Sequence, residues 1–189
     1  MAYSAPKTVL VVGDSLSAEY GLPRGTGWVA LLEQRLHDRK MNVSVVNASI
    51  SGDTTSGAAS RIGALLKTHH PDVVIIELGG NDGLRGLSIQ ATEQNFRTLI
   101  NDCKTAKAKT LLVGMQIPPN YGRSYTEQFR NMFTVIASEQ HVALVPFLLD
   151  GIAEHPELFQ ADRIHVLAAA HPRILDNVWP YLSPLISGK

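Results

Sequence analysis

A serine at the end of an apolar run is the first residue of this chain whose position suggests covalent chemistry. The β-branched segment at residues 9–12 stops abruptly at Gly13-Asp14-Ser15. This pattern is typical of a buried parallel strand that delivers a polar side chain to the carboxyl edge of a sheet. Ligands of open α/β sheets bind beyond that edge. Ser15 is therefore the candidate nucleophile.

A base for Ser15 is expected near the end of the chain. The segment Asp162-Arg163-Ile164-His165 carries a carboxylate and an imidazole at a spacing that lets a tight turn join Asp162 to Nδ1–H and leave Nε2 free. A serine nucleophile needs such a base, oriented by an acid. We predict that His165 is the base and that Asp162 orients it. An Asp-x-x-His spacing also arises by chance or from helix capping, so this pair needs support from other motifs.

Hydrogen-bond donors for a developing oxyanion are expected at two further strand exits. Gly52 has no side chain, so its backbone N–H can approach a ligand closely. Asn81 follows Gly79-Gly80 and offers an amide donor where an aspartate would present only an acceptor. With the N–H of Ser15, these residues would form a three-donor oxyanion hole. Each also has a plainer interpretation as a turn residue.

Composition argues against several other classes of function. Lys plus Arg and Asp plus Glu both number 17, so the formal net charge is zero, and no basic cluster suggests a nucleic-acid partner. No apolar run reaches the ~18 residues that a membrane span needs, so no membrane insertion is expected. The partner expected is a small neutral or amphiphilic molecule, with no obligate protein partner. The single Cys103 is expected in the core, not as a reactive thiol.

Motifs for cofactors and metals are missing from the sequence. Residues 13–18 do not contain G-x-G-x-x-G, and Ser17 stands where the G-x-S-x-G elbow needs a glycine. His69 and His70 are adjacent and diverge on a helix, while His165 and His171 lack a third ligand at a recognisable spacing. These observations argue against a dinucleotide-binding motif and against a metal site.

The elements that must position these residues alternate between strand and helix patterns. The 189 residues fit one domain, residues 1–189. Helical patterns separate the strand-like runs, and a last helix is predicted at 168–182, with Pro172 in its first turns or at a kink. This alternation predicts an α/β fold with a parallel sheet covered by helices on both faces. The predicted strands are 9–12, 43–46, 73–78, 110–114 and 142–145.

Four motifs, in chain order, resemble the four sequence blocks of the SGNH (GDSL) hydrolases. Each block is weak alone, but four in order are specific. Segments 28–32, 46–54, 77–86 and 118–122 also resemble the bacterial thioesterase I, lysophospholipase and arylesterase branch, and the resemblance covers residues 8–182. The blocks are Gly13-Asp14-Ser15-Leu16-Ser17, Gly52, Gly80-Asn81-Asp82 and Asp162-x-x-His165.

This resemblance implies a flavodoxin-like three-layer α/β/α fold with a five-stranded parallel sheet, a site without a lid, and hydrolysis of esters and thioesters without a cofactor. It implies the roles given above for Ser15, Gly52, Asn81, Asp162 and His165. It also implies export to the periplasm or secretion.

The resemblance further implies residues that contact the substrate. Residues 82–87 resemble a mobile loop that closes over an acyl chain, with Gly83 and Gly86 as hinges. We expect residues of this loop and residues after the fourth strand, Ile117, Pro118 and Tyr121, to line the acyl groove. For the residues after the fourth strand, ordinary loop packing is the alternative. The predicted substrate-binding residues are Asp82, Gly83, Leu84, Ile117, Pro118 and Tyr121.

Two residues depart from the family pattern, which commonly has glycine in place of Arg163 and proline in place of Val166. An arginine in this turn either opposes protonation of His165 electrostatically or points to solvent. These changes leave two alternatives to a broad-specificity serine esterase. One is an acyl-ligand binding protein that has lost catalysis, and the other is a carbohydrate O-acetylesterase of the same superfamily.

Overall fold

A single parallel sheet forms the centre of the computed structural model, which describes residues 5–188. Its five strands lie in the order β2-β1-β3-β4-β5, all parallel. This order is that of flavodoxin-like folds. Every predicted strand forms, with ends within two residues of the prediction. The strands are β1 (Lys7–Gly13), β2 (Val43–Asn47), β3 (Val73–Glu77), β4 (Lys109–Val113) and β5 (Ala143–Val145).

Helices cover both faces of the sheet because its inner strands are apolar on both sides. The residues at 9–12 in β1 and 73–76 in β3 are fully buried, as expected for strands enclosed between helix layers. One layer pairs the first and last helices, and the other contains the second, fourth and fifth. The three-layer prediction is confirmed. The helices are α1 (Trp28–Asp38), α2 (Thr55–His69), α3 (Gly80–Leu84), α4 (Ile89–Thr105), α5 (Arg123–Gln140) and α6 (His171–Ser187).

The last helix closes the fold against the first. A 3₁₀ turn at Ala168–Ala170 leads into α6, and Pro172 lies in the first turn of α6, where its missing N–H costs no helical hydrogen bond. Buried His171 accepts a hydrogen bond at Nδ1 from the backbone N–H of Trp28, at 2.9 Å. Burial lowers the pKa of His171 to about 4, so the imidazole is neutral and can accept this bond.

Cys103 lies in the core, as predicted from its position on the apolar face of α4. Its side chain is fully buried, and burial raises the pKa of the thiol to about 11. Cys103 is therefore a packing residue. Within residues 5–188, no helix combines the length and apolar character needed to cross a membrane.

Candidate active site

The structure brings Ser15, His165 and Asp162 into one hydrogen-bonded chain. Nε2 of His165 lies 2.8 Å from Oγ of Ser15, and Nδ1 lies 2.6 Å from Oδ2 of Asp162. Ser15 follows the carboxyl end of β1, whereas the other two residues lie in a turn before α6. With Nδ1–H donating to Asp162, Nε2 is the acceptor for the serine proton. This is the geometry that the Asp-x-x-His spacing predicts.

The turn at residues 160–166 holds the carboxylate of Asp162 through its own backbone. Oδ1 accepts hydrogen bonds from the N–H groups of Ile164 and His165, both at 3.0 Å, as in an Asx turn. Desolvation raises the pKa of Asp162, but the bonds from the His165 ring and the two amides outweigh it and lower the pKa to about 2. The carboxylate is therefore ionised and aimed at the imidazole.

Both departures from the family pattern fit into this turn without disrupting it. Arg163 adopts left-handed backbone geometry, with φ of +59°, which explains why glycine suits the position. Val166 is buried and forms an isolated antiparallel bridge with Phe159. The hydrogen bonds of His165 form despite both substitutions.

An aromatic contact with the imidazole was not predicted from the sequence. The ring of Tyr20 lies 4.3 Å from that of His165, centroid to centroid, at an interplanar angle of 37°. The carbonyl of Tyr20 accepts a hydrogen bond from Nε2 of Gln160 at 3.0 Å. The loop after the nucleophile therefore supports the turn that carries the base. No local pattern around Tyr20 signals this contact, because its partners lie more than a hundred residues away.

The three predicted oxyanion donors differ in whether they already have an acceptor. Among residues 5–188, no acceptor pairs with the backbone N–H of Ser15 or of Gly52. Nδ2 of Asn81 donates to the carbonyl of Asp53 at 2.8 Å and to Oδ2 of Asp14 at 3.2 Å. Gly52 has φ of +81°, and a Cβ there would meet only Arg85 within 4 Å. Conformation, not space, therefore favours glycine at this position.

Two buried carboxyl groups lie beneath the nucleophile, and sequence reasoning assigned neither of them a role. Glu77 ends β3 and accepts a bond from Oγ of Ser17 at 2.6 Å. That hydroxyl in turn accepts from Nε1 of Trp28 at 3.1 Å. Burial raises the pKa of Asp14 to about 6. Burial and the nearby Asp14 raise the pKa of Glu77 well above its usual range. A glutamate that ends an otherwise apolar strand was the available signal.

A cavity of about 450 Å³ opens beside Ser15 and His165. Three of the predicted substrate-binding residues, Leu84, Ile117 and Pro118, line it, whereas Gly52 does not. Within the described chain, no group of three or more His, Cys, Asp or Glu side chains is arranged to hold a metal ion. Sequence reasoning missed most of the wall that follows β5. The remaining lining residues are Asp14, Leu16, Gly80, Asn81, Met115, Gln116, Pro119, Phe147, Leu149, Ala153, Phe159, Arg163 and Ile164.

Asp82 does not line this cavity, contrary to the prediction. It is buried in α3, and its carboxylate accepts bonds from the backbone N–H of Thr55 at 3.0 Å and from its hydroxyl at 2.6 Å. Asp82 thus fastens α3 to the start of α2. The first part of the predicted loop at 82–87 is helical, because α3 extends to Leu84.

Gly83 and Tyr121 also lie outside the cavity wall and support it from behind. A Cβ on Gly83 would lie 2.6 Å from Cγ2 of Ile117 and 2.8 Å from Cε2 of Phe129. Close packing therefore explains this glycine better than a hinge does. The hydroxyl of Tyr121 donates to the carbonyl of Leu84 at 2.7 Å. In the structure without substrate, both residues thus pack against residues that line the cavity.

Comparison with known proteins agrees with this fold. The family model described as GDSL-like lipase/acylhydrolase matches residues 11–173. The esterase TesA of Pseudomonas aeruginosa is 49% identical over 183 residues, which is 97% of this chain and 91% of that protein. The thioesterase 1/protease 1/lysophospholipase L1 of Escherichia coli K12 is 44% identical, over 97% and 87%.

A solved structure shows the same architecture. It is that of the psychrotrophic esterase EstA from Pseudoalteromonas sp., inhibited by monoethylphosphonate, at 38% identity and a TM-score of 0.91, over 96% of this chain and 99% of that one. The resemblance inferred from four short motifs is therefore confirmed. The chain belongs to the GDSL-like lipase/acylhydrolase family.

Proposed function

We propose that this chain is a serine hydrolase that cleaves carboxylic esters and thioesters through an acyl-enzyme on Ser15. The observation that carries the proposal is the Ser15–His165–Asp162 chain, with contacts of 2.8 and 2.6 Å. A protein that only binds acyl ligands needs no such chain. The relatives named esterase and thioesterase support hydrolysis over binding.

In the acylation step, Oγ of Ser15 forms a bond to the carbonyl carbon while Nε2 of His165 takes the hydroxyl proton. The ionised Asp162 stabilises the imidazolium and keeps Nδ1–H pointing away from the substrate. Collapse of the tetrahedral intermediate breaks the bond to the leaving oxygen or sulfur, which receives the proton from Nε2. Water activated by the same imidazole then attacks the acyl carbon and releases the acid and free Ser15.

The negative charge on the carbonyl oxygen is stabilised by the N–H groups of Ser15 and Gly52 and by Nδ2 of Asn81. The two backbone donors have no protein acceptor among the described residues, so they can bind the oxyanion without breaking a bond. Nδ2 of Asn81 lies 2.8 Å from the carbonyl oxygen of Asp53 and 3.2 Å from Oδ2 of Asp14. We propose that the Nδ2 hydrogen that points to Asp14, in the longer of the two contacts, is donated to the carbonyl oxygen of the substrate.

The shape and chemistry of the cavity favour an apolar acyl or aryl group. Met115, Ile117, Phe147, Leu149 and Phe159 all line it. A volume of about 450 Å³ lies within the usual range for small-molecule sites and accommodates short to medium acyl chains. Aryl esters are the first substrates to test, and acyl-CoA and lysophospholipid belong to the same proposed class.

Hydrolysis of p-nitrophenyl esters from acetate to palmitate by wild type and Ser15→Ala tests this function. We expect wild-type turnover, loss to background in Ser15→Ala, and normal activity in Ser124→Ala, which changes an exposed serine outside the cavity. A fluorophosphonate should add to Ser15 only. A wild type that binds fatty acid without turnover or labelling would instead be a binding protein. Activity restricted to acetyl groups on sugars would indicate an O-acetylesterase.

We also propose that residues 1–189 form one domain and that the protein acts in the periplasm. The family match over residues 11–173 supports the first point, and the family resemblance supports the second. Limited proteolysis that releases no smaller stable core, and fractionation of the source cells with antibody detection, test the two points separately.

A further inference from the structure

One arginine lies in the wall of this largely apolar cavity. Among the described residues that line the cavity, Arg163 is the only Lys or Arg. Arg163 therefore lines the same cavity as Ser15 and His165. Among these lining residues, Arg163 is therefore the one whose permanent positive charge can bind an anionic group of a substrate.

No ion-pair partner of Arg163 lies within residues 5–188. Arg163 is exposed, and within residues 5–188 its guanidinium forms no ion pair or hydrogen bond. The neighbouring carboxylate of Asp162 is already engaged by the ring of His165 and by two amides. The five N–H donors of the guanidinium are therefore free for a ligand.

The backbone at Arg163 adds a supporting observation. Its φ of +59° is in the left-handed region that a long side chain enters only at a cost. An arginine at this position costs more than a glycine would, which favours a role for its side chain. The hydrogen bond from its N–H to the carbonyl of Gln160, at 2.9 Å, would form equally well with any residue except proline at this position.

We propose that Arg163 forms a subsite for a carboxylate or phosphate group carried by the ester substrate. Guanidinium binds both groups through paired, charge-assisted hydrogen bonds. The anion would lie either at the far end of the acyl chain or on the leaving group. This inference rests on the proposed esterase function and adds the class of substrate that the enzyme prefers, namely anionic esters and thioesters over neutral ones of the same shape.

Two matched substrate pairs test the subsite and distinguish the two positions of the anion. In one pair, the p-nitrophenyl monoester of adipic acid is compared with p-nitrophenyl hexanoate, so the charge is on the acyl chain. In the other pair, butyryl-CoA is compared with butyryl-N-acetylcysteamine, so phosphate is on the leaving group. The measured quantity is the ratio of kcat/KM for the anionic and the neutral member, after subtraction of the Ser15→Ala rate.

Arg163→Asn removes the charge while keeping a residue that tolerates left-handed geometry. We expect the ratio to fall about three- to tenfold in at least one pair, chiefly through KM, because the arginine is exposed and partly screened. Arg163→Lys should retain part of the preference. Higher salt should reduce it in wild type. The matched control is Arg130→Gln, which changes an exposed arginine that also forms no ion pair and lies outside the cavity.

Ratios that stay the same in Arg163→Asn for both pairs would overturn the subsite and leave the esterase function intact. An equal fall in Arg130→Gln would also overturn it, because net charge alone would then explain the effect. If wild type hydrolyses none of the four substrates, the proposed function fails and the subsite fails with it.

Discussion

The pKa values of two aspartates at this site are shifted in opposite directions by their surroundings. Asp14 lies on the floor of the cavity at the end of β1, and burial raises its pKa to about 6. Asp162 lies in the exposed turn at residues 160–166, where bonds from the His165 ring and from two amides outweigh desolvation and lower its pKa to about 2. Donors aimed at the carboxylate determine its charge in the turn, whereas burial dominates on the floor.

The difference separates two tasks. The turn supplies a fixed negative charge for the imidazole, so its function depends on a few local hydrogen bonds. The carboxyl groups of the floor hold other side chains in position. Asp14 accepts a hydrogen bond from Nδ2 of Asn81, and the neighbouring Glu77 accepts one from Oγ of Ser17. Changes in the turn should therefore affect the rate more than the stability, and changes in the floor should affect both.

The largest expected effect is in the turn. Asp162→Asn should lower kcat about 10³- to 10⁴-fold, because the imidazolium loses its counter-charge and the wrong tautomer is favoured. The oxygen of asparagine can still accept from the N–H groups of Ile164 and His165, so Tm should fall less than in Asp162→Ala. Steady-state kinetics and Tm are measured on the same samples.

Asp162→Ala is the matched control, because it removes the charge and the turn bonds together. It should lose activity to a similar extent and also unfold at a lower temperature. An Asp162→Asn enzyme that keeps more than a tenth of the wild-type kcat would contradict the orienting role.

The next largest effect concerns Asn81, which lies in α3 and donates to Asp14 on the floor. Asn81→Ala should lower kcat about 10²- to 10³-fold with little change in KM, as expected for a donor that acts mainly in the transition state. Asn95→Ala is the control, because its Nδ2 donates to Thr55 outside the cavity, at 3.0 Å. A fall of less than tenfold in Asn81→Ala would remove it from the oxyanion hole.

The pH dependence of stability should distinguish the two aspartates. The raised pKa of Asp14, about 6 in the folded protein, means that folding favours its protonated form. Its contribution to stability is thus present below its ordinary pKa and is lost as the pH rises through about 6. Asp14→Asn should therefore gain about 3–8 °C in Tm relative to wild type between about pH 5 and about pH 8.

Two controls accompany this measurement. Glu154→Gln changes an exposed carboxylate with no described partner, and it controls for the loss of one negative charge. The lowered pKa of Asp162 predicts the opposite sign, with stability lost only as the pH falls towards about 2. A constant difference between Asp14→Asn and wild type would show that burial does not shift Asp14.

The smallest effect concerns the support behind the floor. Gly83→Ala should destabilise the fold by about 1–3 kcal/mol, because its Cβ overlaps Ile117 and Phe129. Gly63→Ala, at an exposed helical position with open space around it, should instead gain about 0.5–1 kcal/mol. Urea unfolding measures both. If Gly83→Ala proves as benign as Gly63→Ala, close packing does not explain this glycine and the hinge prediction regains support.

The sequence alone determined the elements and the polar residues that follow them. The five strands, the final helix with Pro172 in its first turn, and the Asp162–His165 pair were all readable, because each depends on residues close together in the chain. Apolar periodicity reports which face of an element is buried, and the Asx turn is closed by its own neighbours.

Only the tertiary structure decided what lies around those residues. It placed Glu77 beneath Ser17, sixty positions away, and Tyr20 against His165. It also turned Asp82 towards Thr55 and away from the cavity. The physical reason is that burial and contact depend on which distant segments pack together, and a local pattern carries no information about residues that meet only after the chain has folded.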